Sequence, residues 1–147
     1  MKTTVRQILK EKGSSIVSVS PDESILNALK LMEEKNVGAV LVMEGDKVKG
    51  IFSERDHARK GILKGVKAEE PVSKVMTTPV YYVGPDQTMA ECSALMTDKR
   101  IRHLPVVESG KVIGVISIGD VVKSIISDQE VLIRGLENYI MGSGYNL

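Results

Sequence analysis

Two stretches of the chain share a pattern that could do chemistry: GIFSERD at residues 50–56 and GVISIGD at residues 114–120. Each reads glycine, two apolar residues, serine, two residues, aspartate. A serine followed three residues later by an acid, where an apolar strand gives way to a helix, is first of all an N-cap, a common device worth about 0.5–2 kcal/mol. The same groups can also recognise a ligand. Free backbone N–H groups and a hydroxyl at a helix start suit a phosphate. A carboxylate one turn on offers two acceptor oxygens, suited to the cis-diol of a ribose. The glycine sits inside a strand, where it costs stability unless a backbone or a ligand must come close. Ser53, Asp56, Ser117 and Asp120 are therefore candidates for gripping a sugar and its phosphate.

The elements that must position them form a repeat. At an offset of 64 residues the register runs without a gap from Val19/Val83 to Asp56/Asp120, matching Pro21/Pro85, Asp22/Asp86, Leu31/Leu95, Met32/Met96, Val42/Val106, Lys47/Lys111 and Val48/Val112. Upstream, Val5, Ile8 and Leu9 resemble Val72, Val75 and Met76 at an offset of 67, so the first repeat carries extra residues near 11–13.

Each repeat reads alike. A short apolar run at 16–19 or 80–83 predicts a strand. Ser20 as N-cap, Pro21 at the first helical position and Glu23 three after the cap predict a helix start. Ile25, Leu26, Leu29 and Met32, echoed by Met89, Cys92, Leu95 and Met96, supply its buried stripe. Strands at 39–43 and 47–52 flank a turn at 44–46, and strands at 104–107 and 112–116 flank a turn at 108–110, each pair a hairpin. A second helix opens at Ser53 or Ser117, and the later one runs towards Tyr139. The fold class is α/β (α+β): tandem β-α-β-β-α repeats packed with pseudo-two-fold symmetry, since neither copy of about 60 residues buries its sheet comfortably alone. The expected divisions are a first repeat with an N-terminal helix at 1–64, a linker at 65–71, a second repeat at 72–130, and a helix end with a loose tail at 131–147.

Composition narrows the function classes. The chain has 147 residues, 42% hydrophobic and 27% charged, with no Trp and one Phe. That describes a soluble domain with an aliphatic core. A net charge of +1 gives no global argument for nucleic acid or membranes. The single Cys92 forms no intramolecular disulfide and the charged N-terminus has no apolar stretch behind it, so a cytoplasmic, unprocessed protein is expected.

The repeat order, the Pro-Asp helix start, the His103–Leu104–Pro105–Val106 run before the turn, and the doubled Gly-x-x-Ser-x-x-Asp ending resemble the cystathionine-β-synthase (CBS) domain pair, or Bateman module. The resemblance covers the chain from Val5 to Ile126. It implies binding of an adenosine compound in the cleft between repeats, with AMP first and ATP, ADP or NAD as further choices, and pairing into a homodimer. By that resemblance Asp56 and Asp120 hold ribose hydroxyls, Ser53 and Ser117 approach phosphates, and Thr78, Pro79 and Val80 lie beside the adenine. Arg55, Arg100, Arg102 and His103 are candidates to neutralise a phosphate, with solvated surface charge as the plainer reading. The first repeat has Gly38–Ala39–Val40–Leu41 where the second has Arg102–His103–Leu104–Pro105, so the two clefts are not equivalent.

Other constellations are weaker. His57 and His103 lack the Cys or acidic spacing of a metal set, Cys92 falls on an apolar helix stripe, and Tyr81–Tyr82 could stack a base, although on a strand one of them must face inwards and packing is the favoured reading. No phosphate-binding Gly-x-x-x-x-Gly-Lys loop, dinucleotide fingerprint or serine elbow occurs, so an enzyme is not expected. Two readings follow: a ligand-sensing module signalling to a regulated protein of unknown identity, or an interaction scaffold whose last helix, 121–141, serves dimer or partner contact.

Overall fold

Each repeat is completed by a segment that precedes the other repeat in sequence. The computed structural model describes residues 3–142, with side chains of the last helix described to Asp128 and at Arg134 and Gly135. The expected loose tail, apart from Gly142, lies outside the described residues. In chain order the elements are α1 (Val5–Lys12), β1 (Ser18–Val19), α2 (Ile25–Lys35), β2 (Ala39–Glu44), β3 (Lys47–Ser53), α3 (Glu54–Asp56), α4 (Met89–Lys99), β4 (His103–Glu108), β5 (Lys111–Ser117) and α5 (Ile118–Gly142). A π turn (His57–Gly61) and a 3-10 turn (Ile62–Lys64) extend α3, and a further 3-10 turn (Val72–Lys74) leads into the second repeat.

In the first repeat β1 runs parallel to β2, and β2 runs antiparallel to β3. The second repeat keeps only the β4–β5 hairpin. The predicted strand at 80–83 is reduced to one parallel bridge between Val83 and Val106. Both hairpins carry a register shift at the same place, Val42/Met43 and Val106/Val107. The second hairpin turns through Ser109 and Gly110, both at positive φ, the geometry that matches strand twist.

The predicted start of α2 is corrected. Ser20 is not the cap: Ser24 is, its side chain accepting from the Asn27 N–H at 3.1 Å. Residues 20–23 form a turn instead, because their carbonyls are taken by the second lead-in: Val72 N–H donates to Glu23 O and Ser73 N–H to Pro21 O. The second repeat does the same with α1, where Val5 N–H donates to Gln87 O and Arg6 N–H to Pro85 O. Thr88 then caps α4 in a full capping box with Glu91. Because α2 starts at Ile25, Leu26 faces outward and is 41% exposed; the buried face is Ile25, Ala28 and Met32.

The core is therefore two crossed clusters. Val72 and Val75 pack with Ile25, Ala28, Met32, Val40, Val42 and Phe52 of the first repeat. Val5, Ile8 and Leu9 of α1 pack with Met89, Cys92, Met96, Leu104, Val106 and Ile116 of the second. Val5, Val72 and Val75 are fully buried, each contributing about 1.5–3 kcal/mol. The strand glycines serve this crossing. A Cβ on Gly50 would lie 2.6 Å from Met76 Sδ, and one on Gly114 would lie 2.7 Å from Leu9 Cδ2. The close approach expected at these glycines is thus made by the lead-in segments. No helix among the described residues is long and apolar enough to cross a membrane.

Candidate functional site

Both Ser–Asp junctions form as the spacing predicts. At the first, the Ser53 hydroxyl accepts from Asp56 N–H at 3.2 Å while Asp56 Oδ2 accepts from Ser53 N–H at 3.0 Å, a reciprocal capping box. At the second, Ser117 Oγ accepts from Asp120 N–H at 3.2 Å and Asp120 Oδ2 accepts from Ser117 N–H at 2.8 Å. The cap reading therefore holds for each. The junctions also sit beside two clefts between the repeats, which share Gly38, Ile51, His103 and Ile118 as common wall.

The larger cleft, about 520 Å³, gathers eight predicted residues: Ser53, Arg55, Asp56, Thr78, Pro79, Val80, Arg102 and His103. Three elements bring them together. The β3–α3 junction supplies the first three. The stretch after the Val72–Lys74 turn supplies the next three, held against β3 by paired bonds between Thr77 and Ile51 of 3.1 and 2.7 Å. The start of β4 supplies the last two. Arg100, at the end of α4, is a ninth predicted residue on this wall, and Glu54, Arg59, Lys60, Tyr81 and Lys99 lie along it as well. Tyr81 and Tyr82 are 41% and 65% exposed, which corrects their reading as packing residues; Lys99 Nζ stands 5.2 Å from the Tyr81 ring centroid.

Asp56 is 8% exposed, and both of its oxygens are engaged. Oδ2 accepts from Ser53 N–H and Oγ–H, while Oδ1 accepts from Thr77 Oγ1–H at 2.7 Å and pairs with Lys60 Nζ at 3.3 Å. A ribose hydroxyl would have to take the place of Thr77 or Lys60.

The smaller cleft, about 470 Å³, holds Ser117 and His103 of the predicted set, with Lys12, Gly13, Asn36, Gly38 and Gly119. Asp120 lines neither cleft and is bound by Lys12 Nζ, a residue of this wall, at 2.7 Å; the same ammonium donates to Val115 O at 3.0 Å. Pro105 lines neither cleft: it is buried in β4 opposite Val115. His103, in the shared wall, has its pKa pushed below the ordinary value by burial first, then by Lys12 and Arg102, with Asp120 and Asp56 opposing. Cys92, 0% exposed in the second core, has its thiol pushed up to about 11 by burial. No group of three or more His, Cys, Asp or Glu among the described residues converges as a metal set would.

Two crossed units, β-α-β-β-α in the first repeat and α-β-β-α in the second, each with a serine-capped junction beside an inter-repeat cleft, define a tandem-repeat module in which the cleft is the feature to explain. The family model for the CBS domain matches residues 5–56 and again 72–127, and the chain belongs to the CBS-domain family. It is similar to a protein from Burkholderia ambifaria described as a candidate signal-transduction protein with CBS domains, at 51% identity, covering 86% of this chain and 96% of that one with a TM-score of 0.83. It is 35% identical to the mitochondrial CBS domain-containing protein CBSX3 of Arabidopsis thaliana, over 97% of this chain and 74% of that protein. The fold also matches the CBS domain pair of protein MJ0100, solved with 5′-methylthioadenosine and S-adenosyl-L-methionine, at 22% identity over 87% of this chain and 99% of that one, TM-score 0.78.

Proposed function

We propose that this chain is a regulatory ligand-sensing module that takes an adenosine nucleotide into the larger cleft and signals its presence to a partner protein. The observation that carries the reading is the convergence of Ser53, Asp56, Thr78, Pro79, Val80 and Arg102 on one cleft of about 520 Å³, a size suited to a small ligand. The MJ0100 pair, of the same fold, was solved with two adenosine compounds. In this reading Asp56 exchanges Thr77 or Lys60 for a ribose hydroxyl, the Ser53 end faces phosphate, and residues 78–80 flank the base. AMP, ADP, ATP and NAD all carry the required ribose and phosphate. The protein acts in the cytoplasm, with no catalytic step of its own.

Thermal unfolding with each nucleotide tests this. A bound nucleotide at 100 times its dissociation constant adds about 2.7 kcal/mol. Asp56→Asn, which keeps an acceptor for the cap while removing the charge, should diminish that gain. Unchanged midpoints with all four nucleotides would refute the reading.

One observation favours a second role for the same module. Ile118, Val122, Ile125 and Ile126 of α5 are each 38–48% exposed and share a helix face. That stripe fits homodimer contact, as does the hexameric assembly of a CBS-CP12 protein with the same fold. Sedimentation of Val122→Glu against the parent chain would report it.

A further inference from the structure

The two clefts differ most in charge, and pseudo-symmetry makes the difference measurable position by position. At the 64-residue offset, Arg55 corresponds to Gly119, Arg100 to Asn36 and Arg102 to Gly38. The three arginines line the larger cleft, while Asn36, Gly38 and Gly119 line the smaller one. Arg59, just beyond α3, adds a fourth guanidinium to the larger wall. None of these four arginines forms an ion pair with any described residue. In the smaller cleft the one Lys, Lys12, is already paired with Asp120.

Arg100 is the most telling of the set. It caps α4 at φ 56, in the left-handed region, where Asn36 stands at φ 53 in the first repeat. Asparagine tolerates that conformation better than a long side chain does. Repeat two accepts strain to hold a cation at this point, and strained backbone at a cleft points to use. Glu54 and Asp56 are the acids of this wall, Asp56 being paired with Lys60, against six cationic side chains, Arg55, Arg59, Lys60, Lys99, Arg100 and Arg102; the surplus of positive charge repels itself until an anion arrives.

Resting on the function proposed above, we infer that the larger cleft selects nucleotides with two or more phosphates over a monophosphate, with Arg55, Arg59, Arg100 and Arg102 gripping the phosphate chain, and that the smaller cleft lacks this grip. One phosphate carries about −1.5 to −2 charge, so a monophosphate neutralises at most two of the four guanidiniums. A diphosphate or triphosphate supplies the rest, and each arginine can bind two oxygens side by side.

Calorimetric titration of AMP, ADP, ATP and inorganic tripolyphosphate in magnesium-free buffer tests this, on the parent chain and on Arg100→Asn and Arg102→Gly, which install the first repeat's residues. Arg100→Asn relieves the left-handed strain, so the fold is retained. ADP and ATP should bind about tenfold or more tighter than AMP, each variant should shrink that ratio, and the salt dependence of ATP binding should weaken with it. AMP binding as tightly as ATP overturns the inference and leaves the adenosine reading standing. Tripolyphosphate binding as well as ATP, with the same loss in the variants, supports the arginine grip and refutes the adenosine reading. Nucleotide binding that ignores both substitutions overturns the inference.

Discussion

Gly50 offers the sharpest test of why this module repeats its strand glycine. Replacing it with alanine places a methyl group 2.6 Å from Met76 Sδ, 2.8 Å from its Cγ and 3.1 Å from the Thr77 carbonyl oxygen. The Met76 side chain can retreat. The carbonyl is held, because it accepts from Ile51 N–H while Thr77 N–H donates back to Ile51 O. Overpacking of this kind costs about 1–3 kcal/mol, and reduced freedom of the unfolded chain returns about 0.4–1 kcal/mol. The expected net loss is about 1–2 kcal/mol, or a midpoint lower by about 2–8 °C for a chain of this size. Met76→Ala removes the group that is struck, at a cost of about 2 kcal/mol for a partly buried methionine. The double variant should then lose at least 0.5 kcal/mol less than the sum of the two, roughly the smallest coupling expected of residues in contact. Urea unfolding followed by circular dichroism measures all four corners of the cycle. Penalties that simply add, or a Gly50→Ala chain of parental stability that no longer binds nucleotide, would show that the missing side chain serves a ligand instead.

Thr88→Ala removes the cap of α4 and should cost about 1 kcal/mol, read from the same urea midpoints, with Thr88→Ser close to neutral. Cys92 should resist a thiol-labelling reagent at neutral pH until the chain unfolds, since burial raises its pKa to about 11; prompt labelling of the native protein would contradict its place in the core. His103 titrates below its ordinary value of 6.5, so the unfolded chain takes up the proton first. Its contribution is complete above that value and is lost as pH falls below it. His103→Gln should accordingly flatten the acid-side decline in unfolding free energy relative to the parent chain; an unaltered slope would refute this assignment.

The Ser53 and Ser117 junctions were legible because the code for a capping box is local and was written twice. The hairpins were legible for the same reason, from short apolar runs flanking the turns at Gly45 and Gly110. The α2 start was misplaced because residues 20–23 also satisfy a capping template, and only the distant Val72 and Ser73 N–H groups decide that their carbonyls belong to a turn. Residues 80–83 have strand composition, yet only Val83 finds a backbone partner on β4. The exposed tyrosines were misread on the same ground, since a strand would have turned one of them inward. At the cleft, the polar set around Ser53 was foreseeable from the motif. Arg59 and Lys60 were not, because they reach the wall through a π turn that no pattern in the sequence announces.

The exchange of lead-in segments has a consequence for how such a chain can be divided. A fragment cut in the linker would carry α1 with no core to enter, and would lack the valines that close its own sheet. Its nearest remedy is a second identical fragment, each lending its first helix to the other. The intact protein is in that sense a reciprocal swap made permanent by one covalent tether, which keeps the two lenders at high effective concentration. Severing the tether turns a concentration-independent fold into one that depends on dilution.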